Sequence, residues 1–104
     1  MTRNSRSVNN KLTERQFQKQ VVDLAQMLGW RVYYVPDSRR SPAGFPDIVL
    51  LKRGRLIFAE LKTEKGRLRS RQKEWLNDLK TLGQGVKAFC WRPSNWEEIE
   101  ETLR

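Results

Sequence analysis

Three charged side chains stand in runs otherwise built largely of apolar residues. Asp47 opens Asp47-Ile-Val-Leu-Leu-Lys52, and Glu60 and Lys62 close Arg55-Leu-Ile-Phe-Ala-Glu-Leu-Lys62. Glu60 and Lys62 are two residues apart, so on a strand they project from one face. Only Arg53-Gly54 separates the runs. If that pair forms a two-residue hairpin turn, Lys52 faces Arg55, and counting back pair by pair brings Asp47 opposite Glu60. Their Cβ atoms then lie roughly 5 Å apart. Two carboxylates that close repel, and Leu56 and Phe58 continue the Glu60 face into apolar surroundings where an unpaired charge is costly. A divalent cation removes the conflict, and carboxylate oxygens suit Mg²⁺ or Mn²⁺. Lys62 beside it is placed to position or deprotonate a water, or to neutralise charge developing on a phosphate. The plainer reading, a strand-entry Asp and a solvated Glu-x-Lys stripe, gives no reason for charges at the end of an apolar run.

The composition narrows the chemistry further. The 104 residues suffice for one domain with one core. A single cysteine, Cys90, precludes an intramolecular disulfide, and the absence of histidine removes both a Cys/His zinc site and an imidazole base. Hydrolysis must therefore use carboxylates, lysine, a metal or the thiol. The net charge is +9, and four of the 12 acids, Glu97, Glu98, Glu100 and Glu101, lie near the C-terminus. Such a basic balance points to a polyanion, most commonly nucleic acid. No apolar run reaches membrane-spanning length and the N-terminus lacks the apolar stretch of a secretory signal, so an intracellular, cytoplasmic protein without a membrane partner is expected. Residues 1–11 read as a flexible basic segment and 12–104 as a single domain.

The elements that must carry these side chains follow from periodicity. Thr13 and Gln16 form a capping box for a helix over about 13–29, with Phe17, Val21, Leu24, Ala25 and Leu28 on one face and Gly29 as its stop. Residues 30–35 read as a strand and 36–46 as a loop; the two apolar runs make a hairpin. Residues 63–69 are a basic loop. Ser70 caps a second helix with Trp75, Leu76, Leu79 and Leu82 on its apolar face, ended by Gly83. Val86–Trp91 is a fourth strand, and Ser94-x-x-Glu97 caps a third helix carrying Trp96, Ile99 and Leu103. The order is α-β-β-β-α-β-α. Apolar residues on both faces of the hairpin predict a sheet covered on both sides, an α/β fold with a mixed sheet flanked by helices.

On that element order, Gly44-Phe45-Pro46-Asp47, Ala59-Glu60-Leu61-Lys62 and Gly66-Arg-Leu-Arg-Ser-Arg-Gln72, followed by Trp75 and Leu79, resemble the PD-(D/E)xK nuclease superfamily. More narrowly, the chain is similar to stand-alone virus-type replication-repair nuclease (VRR-NUC) domains over roughly residues 12–92. The resemblance implies a restriction-endonuclease-like α-β-β-β-α-β core. It implies that Asp47 and Glu60 bind metal together with the Leu61 carbonyl, that Lys62 is the catalytic lysine, that Glu14 is an additional acid, and that Gln72 points from the second helix toward the site. The implied activity is Mg²⁺- or Mn²⁺-dependent hydrolysis of phosphodiester bonds in DNA, by a homodimer acting on branched substrates such as four-way junctions.

Lys65, Arg67, Arg69, Arg71 and Lys73 follow the Glu60–Lys62 strand directly, and Arg39 and Arg40 lie in the loop before Asp47. Both segments should flank the carboxylates where phosphates must sit. Tyr33, Tyr34, Trp91 and Trp96 are candidates either for the core or for a subunit interface, where aromatic residues are enriched. Cys90 reads as an inert strand residue. Two other functions fit the same residues: a module that binds nucleic acid without cutting, and a nuclease directed at RNA. An opposed Asp47–Glu60 pair beside Lys62 is more than binding needs, and phosphate contacts do not report the sugar.

Overall fold

Thr13 starts the first helix by satisfying backbone groups that the helix itself leaves open. Its Oγ1 accepts from the Gln16 N–H at 3.1 Å and the Gln16 carbonyl oxygen accepts from the Thr13 N–H at 3.0 Å. In the computed structural model, which describes residues 11–34 and 43–104, this helix is α1, Glu14–Met27. Phe17, Val21, Val22 and Ala25 are its buried stripe. The chain continues through β1 (Arg31–Tyr34), β2 (Ile48–Lys52), β3 (Arg55–Leu61), α2 (Ser70–Leu79), a 3₁₀ turn at Lys80–Leu82, β4 (Val86–Trp91), a second 3₁₀ turn at Pro93–Asn95 and α3 (Trp96–Leu103). No helix among the described residues is long and apolar enough to cross a membrane.

The four strands form one sheet in the order β1-β2-β3-β4. β1 and β2 pair antiparallel, as do β2 and β3, whereas β3 and β4 pair parallel across the α2 crossover. The sheet is mixed and the fold α/β, as the element order predicts. Arg53 and Gly54 both have positive φ, 44° and 78°, the conformation of a tight type I′ hairpin turn. Lys52 therefore pairs with Arg55 and Ile48 with Ala59. This is the register on which the opposition of Asp47 and Glu60 depends.

Alternation then divides the sheet into two faces. Ile48, Leu50, Ile57, Ala59, Leu61 and Trp91 point to one, where α1 and α3 close over them with Phe17, Val21, Ile99 and Leu103. Phe58, Ala88 and Cys90 point to the other, against Leu76, Leu79 and Trp75 of α2. Arg55 fastens α3 to the hairpin: its guanidinium donates to the carbonyls of Thr102 and Arg104, and Trp30 beneath it donates to Leu103.

Several local expectations shift. Arg69, not Ser70, is the residue before α2, because Gln72 reaches back to the Arg69 N–H and starts the helix one residue early. Leu82 is exposed, since the chain tightens into a 3₁₀ turn after Leu79 and swings it off the apolar face. α3 begins at Trp96 rather than at Ser94, because Pro93–Asn95 form a 3₁₀ turn whose Asn95 carboxamide accepts from the Arg92 N–H. Trp91 is completely buried in the core, so it does not belong to a subunit surface. Tyr33 and Tyr34 are exposed.

Candidate active site

Asp47, Glu60 and Glu14 converge at one end of the sheet. A carboxylate oxygen from each lies within 4.8 Å of the others. Three separate devices bring them there. The capping box sets the first turn of α1 and hence Glu14. The hairpin register carries Glu60 to the position facing Asp47. Asp47, one residue before β2, is held by its own carboxylate, whose Oδ2 accepts the Leu61 N–H at 2.9 Å.

Residues 43–46, which lead into Asp47, form neither helix nor strand, and contacts with α2 hold them in place. Phe45 packs edge-on against Phe58 and Trp75, with ring centroids 6.2 and 5.0 Å away, and the Trp75 indole N–H donates to the Ala43 carbonyl. Gly44, at φ +89°, lies directly on the first turn of α2. A Cβ on it would fall 2.6 Å from the Arg71 carbonyl, so only glycine permits this approach. Pro46 is buried behind it.

Glu60 is 2% exposed, the one buried charged residue among those described. Its Oε2 accepts from the Gln72 carboxamide at 2.8 Å and stands 3.7 Å from Lys62 Nζ. Its Oε1 is buried and accepts no hydrogen bond from any described residue. Gln72 bridges two elements, since its own carbonyl oxygen holds the Arg69 N–H at 2.8 Å. Burial, reinforced by the nearby Asp47 charge, pushes the Glu60 carboxyl up to about 8 despite Lys62 beside it. Burial also raises Asp47, against the Leu61 N–H and Lys62, which favour its charged form. Glu14 is raised by loss of solvent and by Asp47. All three acids thus disfavour their shared charge, and one buried oxygen is left without a partner. An oxygen-preferring divalent cation fits this arrangement: it would neutralise the acids and occupy the open oxygen.

The geometry brings together the predicted Glu14, Asp47, Glu60, Lys62 and Gln72. Leu61 lies between two of them, in β3, its N–H committed to Asp47. Lys65, Arg67, Arg69, Arg71 and Lys73 are all exposed on the segment that leaves Lys62 and enters α2. Arg39 and Arg40 lie outside the described residues, as do residues 1–10. Phe45 and Trp75 stand in the motif pieces that carry the family resemblance, and the structure adds their role, which is to hold the segment before Asp47 against α2. Cys90 pairs with Glu60 across β3–β4, and burial pushes its thiol up, which keeps it protonated and unreactive.

The chain matches the profile of the VRR-NUC domain family over residues 3–93. No curated protein and no solved structure shows a significant match.

Proposed function

The chain belongs to the VRR-NUC domain family, a family of nuclease domains, and on that premise we propose that it is a Mg²⁺- or Mn²⁺-dependent endonuclease that hydrolyses phosphodiester bonds in branched DNA. The observation that carries this reading is the convergence of Glu14, Asp47 and Glu60 around a buried carboxylate oxygen without a partner, with Lys62 3.7 Å from the same carboxylate.

Asp47 and Glu60 would hold the cation, with the Leu61 carbonyl and Glu14 completing the protein's share. When bound it supplies Lewis acidity toward a phosphate oxygen and acidifies water. Lys62 orients the attacking water or stabilises charge that develops on the phosphate. Gln72 keeps the Glu60 carboxylate aimed, because one amide clamps Oε2 and the start of α2 together. The basic residues from Lys65 to Lys73, with Arg39 and Arg40, contact backbone phosphates and carry no base preference of their own.

A paired cut across a four-way junction needs two sites related by a two-fold axis, and we propose a homodimer as the active form. The exposed aromatics Tyr33 (62%) and Tyr34 (46%) on the edge strand β1 support an interface there. A panel of single-stranded, duplex, flap and four-way-junction DNA, with an RNA duplex, tested in Mg²⁺, Mn²⁺ and EDTA, decides the reading. Metal-dependent cutting that is fastest on the junction is the expected result. Binding without cutting in any metal would reduce the protein to a recognition module, and preference for RNA would reassign the substrate. Light scattering during size-exclusion chromatography should give twice the 12.4 kDa chain mass.

A further inference from the structure

The turn that follows Lys62 is held by the residue just past the end of β4. Thr63, Glu64 and Gly66 are half-buried and launch the basic segment into α2. The Gly66 N–H closes this turn on the Thr63 carbonyl at 3.2 Å and on Thr63 Oγ1 at 3.1 Å. A side chain at Gly66 would crowd Thr63 Oγ1 at 3.1 Å and Lys62 Cδ at 3.4 Å, so the turn packs tightly against the lysine. The stabilising cation comes from Arg92. Its Nη1 donates to the carbonyls of Thr63 and Gly66, both at 2.6 Å, and lies 3.4 Å from that of Glu64. A second latch joins the same regions, since the Glu64 carboxylate accepts the Ser94 N–H.

The sheet register explains how Arg92 gets there. β3 and β4 run parallel with Glu60 beside Cys90 and Leu61 beside Trp91, and the Lys62 N–H continues the ladder onto the Trp91 carbonyl at 3.0 Å. The next residue of each chain therefore falls side by side, Lys62 and Arg92, on the face that bears Glu60. The two cations divide the work. Lys62 Nζ faces the acids, while the guanidinium of Arg92 turns to the carbonyls of the turn. Without Arg92, the three carbonyl dipoles would converge on a space with no donor in it, which opens the turn.

We propose that Arg92 is a positioning residue: by gathering the Thr63–Gly66 carbonyls it keeps Lys62 directed at the acids and sets the register in which Lys65 and Arg67 meet the substrate's phosphates. The catalytic half of this inference rests on the nuclease reading, whereas the binding half does not. Arg92 acts through the turn and not by touching the substrate, and this makes the exchange of the Gly66 amide in DNA-free protein the deciding observable.

The test compares wild type, Arg92→Ala and Arg92→Lys by three readouts: Gly66 amide hydrogen exchange, steady-state cleavage of a junction in Mg²⁺, and the salt dependence of DNA binding in EDTA. Arg92→Ala should lose Gly66 protection, raise KM roughly tenfold with a smaller fall in kcat, and flatten the slope of log K against log salt by about one contact or more. Arg92→Lys should recover part of each effect, because an ammonium can donate to the same carbonyls. Folded Arg92→Ala with wild-type Gly66 protection overturns the proposal, as does wild-type KM together with an unchanged salt slope. If Arg92→Ala does not fold, Arg92→Met, which keeps the aliphatic stem and removes the donors, decides: identity with wild type in all three readouts overturns it. Should the wild-type protein cut nothing, the nuclease reading fails, while the exchange and binding readouts still judge Arg92.

Discussion

The two faces of strand β3 are built under opposite rules. Ile57, Ala59 and Leu61 enter a sealed core in which α1 and α3 leave at most 2% of any of the three exposed. Phe58, Glu60 and Lys62 alternate with them on a face that α2 covers only over β3 and β4. The first face gains from burial and contains nothing that titrates among its core residues. The second sinks a carboxylate to 2% exposure beside another acid and leaves one of its oxygens unpaired. A single strand thus carries stability on one side and stored electrostatic conflict on the other. Their separation implies that substitutions on the two sides should move different observables.

The largest separation is expected from Lys62→Ala and Asp47→Asn. Cleavage should fall by at least two to three orders of magnitude, while DNA binding in EDTA stays close to wild type and Asp47→Asn, which removes one of the repelling acids, leaves the metal-free protein at least as stable. Cleavage at the wild-type rate by either variant would remove these residues from the chemistry. The converse substitution is Ile57→Ala, one residue from the Glu60 face. It should cost about 2–5 kcal/mol in denaturant unfolding and leave the cleavage rate per folded molecule nearly intact. If activity collapses with no loss of stability, the faces are not separable.

Glu60→Gln sharpens the contrast because its two effects have opposite signs. The variant keeps the shape and the contact with Gln72 but removes a carboxyl that folding must hold protonated, so the metal-free protein should be more stable by at least about 1 kcal/mol at neutral pH while cleavage is lost. A lowered melting temperature would show that the acid is not a source of strain. The smallest effect is the pH drift of the metal-free protein. Burial and Asp47 hold the Glu60 carboxyl at about 8, so the folded chain keeps a proton that the unfolded chain releases in the usual carboxylate range. The folded state binds more protons in that window, and stability must fall as pH rises from about 5 to 8. Asp47 and Glu14, also raised, act in the same direction. Added Mg²⁺ should reverse the trend and raise the melting temperature more at pH 8 than at pH 6. A metal-free melting temperature that climbs with pH over this range would contradict the assigned burial.

What the sequence discloses is what short-range rules determine. Thr13 with Gln16, the Arg53-Gly54 turn and the period-two alternation of β3 are local, and together they locate the Asp47–Glu60 opposition to the residue. Glu14 and Gln72 needed the family resemblance, because a first-turn acid and a surface glutamine look ordinary until two helices are docked on the sheet. Arg92 was not legible at all. Its partners are backbone carbonyls, which every residue possesses, and they come within reach only through the parallel β3–β4 pairing. Helix ends shifted for a related reason: Gln72 and Asn95 bond back to the backbone and move the starts of α2 and α3 away from the serines that composition favours.

Gly44 shows how little tolerance this architecture leaves at one point. Its missing side chain is what lets the loop bearing Asp47 rest on the Arg71 carbonyl, and the same turn of α2 presents Gln72 to Glu60. Any replacement, small or large, polar or apolar, lifts the loop and the helix apart by the same first carbon atom and adds the strain of a positive φ. A saturation library at this position should therefore give a flat profile in which alanine is nearly as damaging as tryptophan. At exposed Lys73, two residues from the same contact in sequence, activity should instead grade with charge. For a lineage of such proteins, Gly44 would act as a fixed point, a place where drift has no intermediate steps to take.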